Sequence, residues 1–150
     1  MNNFFTNGPS LVPFKQIYAQ NITPKLQEID LFIKTSEAPY ALSDVSSILQ
    51  CSEDEVKYIM NQNDITAIQL VDFFTIVSSC RSYICRLISR QWKYVNFNDY
   101  TATMISDIYE INLHKVEAAF KDMQVETISE YELMEIFSRI HTPIYSFSNC

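Results

Sequence analysis

Glycine is almost absent from this chain of 150 residues, since Gly8 is the only one. Tight β-hairpins and phosphate-cradling loops depend on glycine for positive φ angles. The composition therefore disfavours a β-rich fold and a nucleotide-binding loop. It predicts helices that are joined by turns of Asn, Asp and Ser.

Three other absences argue against a metal or cofactor site, a membrane span and a catalytic site. The cysteines (Cys51, Cys80, Cys85 and Cys150) show no Cys-x-x-Cys spacing and the chain has only two histidines, so we expect reduced, mostly buried thiols and no metal or other cofactor. No apolar run approaches the roughly 20 residues that span a bilayer, and the start is polar, which predicts a cytoplasmic protein without membrane contact. No nucleophile elbow or His-Glu metal spacing is found, which predicts that the chain is not an enzyme and has no small-molecule substrate.

Basic residues are few, and their distribution is uneven. Eleven Lys and Arg stand against eighteen Asp and Glu, for a net charge of −7. Residues 40–77 carry six acids and one lysine, and residues 97–150 carry nine acids and three bases. Residues 78–96 carry Arg81, Arg86, Arg90 and Lys93 without an acid. Two acidic segments thus flank one basic stripe, a charge balance that is unfavourable for nucleic-acid binding.

The chain repeats itself at an offset of 60 residues. Aligned without a gap, residues 40–78 and 100–138 share identical residues at positions such as Tyr40/Tyr100, Ser46/Ser106, Ile48/Ile108, Val56/Val116 and Ile68/Ile128. Apolar positions that match in one register are typical of two copies of one folding unit. We therefore predict an all-α fold of two pseudo-repeated helix-turn-helix units, joined by a long helix and carrying short extended wing pieces.

This reading divides the chain into three parts. Residues 1–39 form an N-terminal arm and a helix that starts at Thr23-Pro24, with Thr23 as its N-cap. Residues 40–96 hold the first unit and the long helix, and residues 97–150 hold the second unit and a tail. Ser43 and Thr103 are expected to cap the first helix of each unit.

Further capping signals mark the later helices. A capping box of Ser52 and Glu55 opens the second helix of the first unit, Asn112 does so in the second unit, and Ser129 with Glu132 opens the last helix. Residues 65–68 and 125–128 are expected to be extended. Pro143 should end the last helix.

The long helix is predicted to run from about Gln69 to about Tyr94, on the order of 38 Å at 1.5 Å per residue. Its broad apolar arc predicts a surface that contacts more than one neighbour. Together with the aromatic arm, it provides candidates for a partner or dimer interface: Phe4, Phe5, Phe14, Tyr83, Leu87, Ile88 and Trp92.

The segment from Leu42 to Ile68 resembles the helix-turn-helix of the excisionase and MerR-like families. Val45 and Leu49 match the family's first-helix core, Cys51 and Ser52 its turn, and residues 65–68 its wing strand. The resemblance implies a DNA-binding function. Gln50 stands where the family has glycine, so the tight turn should be made in another way.

The charges of the recognition helix also depart from the family. Lys57 stands where arginine is usual, and Glu53, Asp54 and Glu55 lie at the end that a DNA reader inserts into the major groove. Carboxylates at that end repel phosphate, whose neutralisation supplies most nonspecific affinity.

Two functional hypotheses follow. In the first, the chain is a regulatory or adaptor protein that uses the helix-turn-helix scaffold to bind a protein partner or a second copy of itself. In the alternative, it is a DNA-binding transcriptional or recombination regulator. The DNA-contacting residues would then be Lys57, Asn61, Gln62, Arg86, Arg90, Lys93, Lys115 and Lys121.

Overall fold

A computed structural model describes residues 11–143, which form a mainly α-helical protein with only short antiparallel strands. The described residues divide into two compact units. The central unit comprises Ile22–Tyr94, and the terminal unit combines residues 11–21 with residues 95–143.

The central unit contains five α-helices in chain order. They are α2 (Thr23–Thr35), α3 (Leu42–Leu49), α4 (Glu53–Gln62), α5 (Leu70–Ser79) and α6 (Tyr83–Lys93). The terminal unit contains β1 (Leu11–Pro13), α1 (Phe14–Ile17), β2 (Tyr100–Thr101), α7 (Ala102–Tyr109), α8 (Leu113–Met123), β3 (Thr127–Ile128), α9 (Leu133–Ser138) and β4 (His141–Pro143).

The turn between α3 and α4 is made by Gln50 itself. Gln50 adopts the left-handed helical conformation, with φ 58° and ψ 37°. The Cys51 N–H donates to the Ser46 carbonyl at 3.0 Å, and the Ser46 hydroxyl donates to the Cys51 carbonyl at 2.6 Å. The expectation that the missing glycine forces another kind of turn is therefore wrong, because a non-glycine residue occupies the glycine conformation at a modest energetic cost.

Local capping explains where several helices begin. The Ser52 side chain accepts from the Glu55 N–H and opens α4, as predicted. Gln69 and Asp72 form a capping box at the start of α5. Asn112 caps α8 through the N–H groups of His114 and Lys115.

Three predicted helix starts are wrong. The N-terminal helical stretch begins at Phe14 and reaches Thr23 through a π-helical segment, Tyr18–Ile22, so Thr23 is not a cap. Residues 14–22 are thus helical and not part of an irregular arm. Helix α3 begins after Ala41 and α7 after Thr101, so neither Ser43 nor Thr103 is the N-cap.

The long helix predicted over residues 69–94 is two helices. Helix α5 ends at Ser79, Cys80 is extended with ψ 148°, and Ser82 caps α6 by accepting from the Cys85 N–H. The Ser82 hydroxyl also donates to the Leu49 carbonyl at 2.7 Å. The break is stable because Ser82, which is buried, satisfies both the new helix end and a carbonyl of α3.

The last helix is also shorter than predicted. Ser129 and Glu132 form the predicted capping box, but it opens a 3₁₀ turn, Glu130–Glu132, which leads into α9. Pro143 does not end a helix, because His141–Pro143 pairs antiparallel with Leu11–Pro13. Pro tolerates this place because the strand pair is short and has an open edge.

The core of the terminal unit is aromatic. Phe14 is fully buried and meets Phe137 edge-to-face with ring centroids 4.8 Å apart. Tyr109 packs on Phe137 at 5.0 Å, and Tyr18 reaches both rings. The N-terminal helical segment therefore docks on helices α7 and α9 of its own chain.

The two units share backbone features whose residue numbers differ by 60. Gln50 and Glu110 are both left-handed, as are Asp64 and Gln124. The Ser106 hydroxyl donates to the Ile111 carbonyl at 2.6 Å, as Ser46 does to Cys51. Tyr40 bridges to Ile68 in one unit, and Tyr100 pairs with Ile128 in the other.

Within residues 11–143, none of the helices combines the length and the apolar character that a bilayer crossing requires.

Candidate functional site

Most of the predicted interface residues lie inside the protein. In α6, Tyr83, Leu87 and Ile88 are buried in the central unit, because the apolar side of this helix packs on α5. Phe14 is buried in the terminal unit. Phe14, Tyr83 and Leu87 therefore offer almost no surface to a partner, and Phe4 and Phe5 lie outside the described residues. Trp92 is the exception, with 41% of its surface exposed.

Trp92 borders an open apolar groove in the central unit. The groove encloses about 440 Å³ and is lined by residues of α2, α5 and α6, including Leu26, Ile29, Ile33, Phe74, Ile88 and Trp92. The Phe74 and Trp92 rings meet edge-to-face, with centroids 5.7 Å apart. We call this feature the α2/α5/α6 groove.

The groove exists because the apolar stripe of α2 is incompletely covered. Ile29 is buried, but Leu26 and Ile33, one turn to either side, remain half-buried. Of the described residues that line it, Asp30 and Gln91 are the polar ones, and Asp30 is ion-paired to Lys34 at 2.8 Å. An apolar surface with a single acidic group can hold an apolar segment that carries a cation.

The DNA candidates of α4 are exposed, but acids accompany them. Lys57, Asn61 and Gln62 all face solvent. The first turn of the same helix carries Glu53, Asp54 and Glu55. The Glu55 carboxylate accepts the Arg81 N–H at 2.7 Å, which ties this helix end to the junction of α5 and α6.

The basic residues of α6 engage neighbouring groups. Arg86 lies over the Tyr83 ring at 5.8 Å and donates to the Arg81 carbonyl. Lys93 lies over the Tyr94 ring at 5.1 Å. Arg86 and Arg90 are half-buried, and Lys93 is exposed. The spacing of 86, 90 and 93 places the three on one helix face.

The candidates of α8 belong to the terminal unit, where acids outnumber bases. Lys115 and Lys121 are exposed, and the Lys115 ammonium donates to the His141 carbonyl at 2.7 Å. Arg139 is ion-paired to both Asp122 and Glu135, and the hydrogen bond that its guanidinium donates to the Asp122 carboxylate raises the pKa of Arg139.

A cluster of three cysteines was not predicted from the sequence. The Sγ atoms of Cys51, Cys80 and Cys85 all lie within 4.8 Å of one another. Cys51 comes from the α3–α4 turn, Cys80 from the end of α5 and Cys85 from the first turn of α6. Cys80 and Cys85 are buried and Cys51 is half-buried. The three are free thiols, as expected, but their proximity arises only from the fold.

The thiols influence one another's ionisation. Hydrogen bonds from the Cys80 and Cys85 thiols lower the pKa of Cys51. The same hydrogen bonds, aided by burial, raise the pKa of Cys80 and of Cys85. The Cys51 sulfur also lies 3.4 Å from the Leu49 carbonyl, and burial opposes the effect of the two thiols on the pKa of Cys51. A negative charge in this cluster therefore resides first on Cys51, the sulfur nearest to solvent.

Comparison with known proteins finds no match for the chain among protein-family models, curated proteins or solved structures.

Proposed function

We propose that this chain is a cytosolic, non-enzymatic adaptor built on two helix-turn-helix units, and that its α2/α5/α6 groove binds a basic amphipathic helix of a partner protein. The single observation that carries the proposal is the groove beside Trp92. Its volume of about 440 Å³ falls within the roughly 300–1,000 Å³ that is typical of binding pockets.

The shape of the groove favours a helical occupant. Leu26, Ile29 and Ile33 follow helical spacing along α2, so the apolar floor extends over about two turns of helix. An amphipathic helix presents apolar side chains at i, i+3, i+4 and i+7, which match a floor of that length. Exposed Trp92 at the rim is the type of residue that dominates binding energy in protein interfaces.

The charges favour a basic occupant. Among residues 11–143, Asp30 is the only charged residue that lines the groove. The central unit carries nine acidic and seven basic residues, and the whole chain has a net charge of −7. A cationic helix would gain attraction during encounter, and one of its lysines or arginines would share the Asp30 carboxylate with Lys34.

The tandem helix-turn-helix part of the proposal is supported by the features that recur at an offset of 60. Left-handed Gln50 and Glu110 close equivalent turns, and Ser46 and Ser106 make equivalent hydrogen bonds. Helices α3–α4 and α7–α8 would then be two copies of one motif. The acidic first turn of α4 makes DNA an unfavourable ligand for the first copy.

The test uses Trp92, the only tryptophan of the chain, as a fluorescent reporter. The probe is a helical peptide of about 18 leucine and lysine residues in an amphipathic pattern, with a leucine–glutamate peptide as the charge control. We expect the lysine peptide to shift Trp92 emission to shorter wavelength and to saturate. The glutamate peptide should bind at least about tenfold more weakly, because like charges repel.

Two variants of α2 provide a matched pair. Ile33→Asp introduces a carboxylate into the groove and should weaken peptide binding about tenfold or more, because a buried unpaired charge is costly. Leu31→Asp changes an exposed residue of the same helix outside the groove and should bind like wild type. Equal loss in both variants, or no saturable shift with wild type, would refute the groove as the binding site.

Light scattering on the free protein separates a heterologous partner from a second copy. A monomer that binds the peptide supports the proposal. A dimer that Ile33→Asp dissociates would show that the groove is covered by another copy of this chain instead.

DNA binding is the second candidate function. One observation favours it: Arg86, Arg90 and Lys93 lie on one face of α6, a spacing that suits contacts to successive phosphates. Lys57, Asn61 and Gln62 would then reach the bases from α4. The salt dependence of binding tests this candidate.

A further inference from the structure

The cysteine cluster brings together residues from two distant parts of the sequence. Cys51 lies 29 residues before Cys80 and 34 before Cys85, yet the three Sγ atoms lie within 4.8 Å of one another. Among the residues 11–143, no carboxylate or imidazole joins this group. The cluster offers three soft ligands and one half-exposed edge, at Cys51.

We propose that Cys51, Cys80 and Cys85 form a three-thiolate binding site for a thiophilic d¹⁰ cation, Cu⁺ or Zn²⁺. Thiolate sulfur selects such ions over Mg²⁺ and Ca²⁺, which require oxygen ligands. Three sulfurs at about 2.3 Å from one central ion lie about 4.0 Å apart in a trigonal arrangement. The sulfurs therefore need to move together by less than about 1 Å to enclose the ion.

The surroundings suit an anionic sulfur group. Cys85 is the third residue of α6, so it lies at the positive end of an eleven-residue helix. Ser82 fixes this end, because its hydroxyl holds both the Cys85 N–H and the Leu49 carbonyl. Binding replaces three S–H bonds with three S–metal bonds and releases three protons to water, without an oxidant or reductant.

The terminal unit has no sulfur at the positions 60 residues after Cys51 and Cys80. The residues 60 positions after Cys51 and Cys80 are Ile111 and Ile140, and both are buried. The corresponding positions of that unit thus hold bulky aliphatic side chains. In the central unit, smaller side chains that carry sulfur stand at these two positions.

Coordination would join two parts of the central unit. The ion would link the α3–α4 turn, through Cys51, to the junction of α5 and α6, through Cys80 and Cys85. A ligand that binds only the folded state raises its stability. The melting temperature of the central unit should therefore rise with the concentration of free metal.

The experiment titrates the full-length, reduced protein anaerobically with Zn²⁺ and, separately, with Cu⁺, against a chromophoric chelator. We expect one ion per chain and a thiolate-to-metal charge-transfer band in the ultraviolet. X-ray absorption should find three sulfur neighbours at about 2.3 Å. With Zn²⁺ we also expect a fourth neighbour, an oxygen atom, because zinc is almost always four-coordinate. With Cu⁺ we expect no fourth neighbour, because three thiolates satisfy this ion.

Cysteine variants assign the ligands. Cys51→Ser, Cys80→Ser and Cys85→Ser should each lower affinity about a hundredfold or more, since loss of an outer-shell partner alone costs about 10- to 100-fold. Cys150→Ser is the matched control and should bind like wild type. Circular dichroism checks folding, and half-buried Cys51 is the ligand least needed for the core.

Three results would overturn the proposal. Wild type would bind no tighter than Cys51→Ser, or Cys150→Ser would lose the ion as well, or X-ray absorption would find fewer than three sulfur neighbours. Each of these is independent of the peptide experiment on the groove, which needs no metal.

Discussion

Four non-glycine residues adopt the left-handed conformation that glycine usually provides at the ends of helices. Gln50, Asp64, Glu110 and Gln124 all have φ between 54° and 59°, and each ends or follows a helix. A non-glycine residue in this conformation costs about 1–2 kcal/mol relative to a right-handed one. The chain tolerates the cost because the Cys51 and Ile111 N–H groups find the serine carbonyls of the preceding helix only with this turn.

Substitutions at Gln50 should follow the shape of the side chain. We expect Gln50→Val to destabilise the central unit by about 1–2 kcal/mol, because a β-branched residue is a genuine outlier at positive φ. Gln50→Gly should be neutral or stabilising by up to about 1 kcal/mol, because glycine adopts this φ without strain. Chemical denaturation of the two variants measures the difference. Equal stabilities would contradict the assigned conformation.

The ends of the helices can be predicted from this sequence where capping residues close in sequence mark them. The capping residues Ser52, Asn112 and Ser129 were predicted correctly, since each cap involves residues no more than three positions apart. The break at residues 80–82 was missed because it contains neither glycine nor proline, and because the apolar arcs of α5 and α6 continue the same period. Ser82 marks the break, but its importance comes from its bond to Leu49, 33 residues earlier.

The sequence predicts less about the candidate sites than about the helices. The side chain of Trp92 is exposed, and its place in an interface stays a prediction. Helical periodicity could not distinguish exposed Trp92 from buried Leu87 and Ile88. All three lie on the same apolar arc, and the arc does not show which part of it a neighbouring helix covers. The cysteine cluster depends on the α3–α4 turn meeting the α5–α6 junction, a contact that no local spacing encodes.

The Ser82 cap should matter more than the Ser52 cap. Ser82→Ala leaves the Leu49 carbonyl and the Cys85 N–H without a side-chain partner in a buried setting, which should cost about 2–3 kcal/mol. Ser52→Ala removes one exposed cap and should cost about 1 kcal/mol. Urea denaturation under reducing conditions, with a chelator present, compares them. A smaller loss for Ser82→Ala would show that the break between α5 and α6 does not depend on this residue.

At the scale of the whole molecule, net charge is the property in which the two candidate functions differ most. Eighteen acidic and eleven basic residues create a net repulsion toward phosphate. The basic face of α6 does not change this balance, because the central unit to which it belongs has more acidic than basic residues. An adaptor with an acidic surface is favoured by this balance. A DNA-binding protein would have to overcome it through Arg86, Arg90 and Lys93.

A salt series measures the contribution of this helix face. We expect no duplex binding above background at low salt, and no effect of changing Arg86, Arg90 and Lys93 together to alanine. If the three side chains do contact phosphates, the slope of log K against log salt should lose about 2.7 in the triple variant. That loss would establish DNA binding and reject the adaptor as the sole function.

The pairing of β1 with β4 also sets an order of events during synthesis. The central unit is contiguous, from Ile22 to Tyr94, so a ribosome supplies all of its residues before it adds residues 95–143. Those 49 residues take about 2–10 s at the usual 5–20 residues per second. Tyr109 is added early in that interval and Phe137 only near its end, so for most of it the nascent chain carries Phe14 without the Phe137 ring that later packs on it. Residues 11–17 are therefore made before the central unit but find these native contacts only after it is complete.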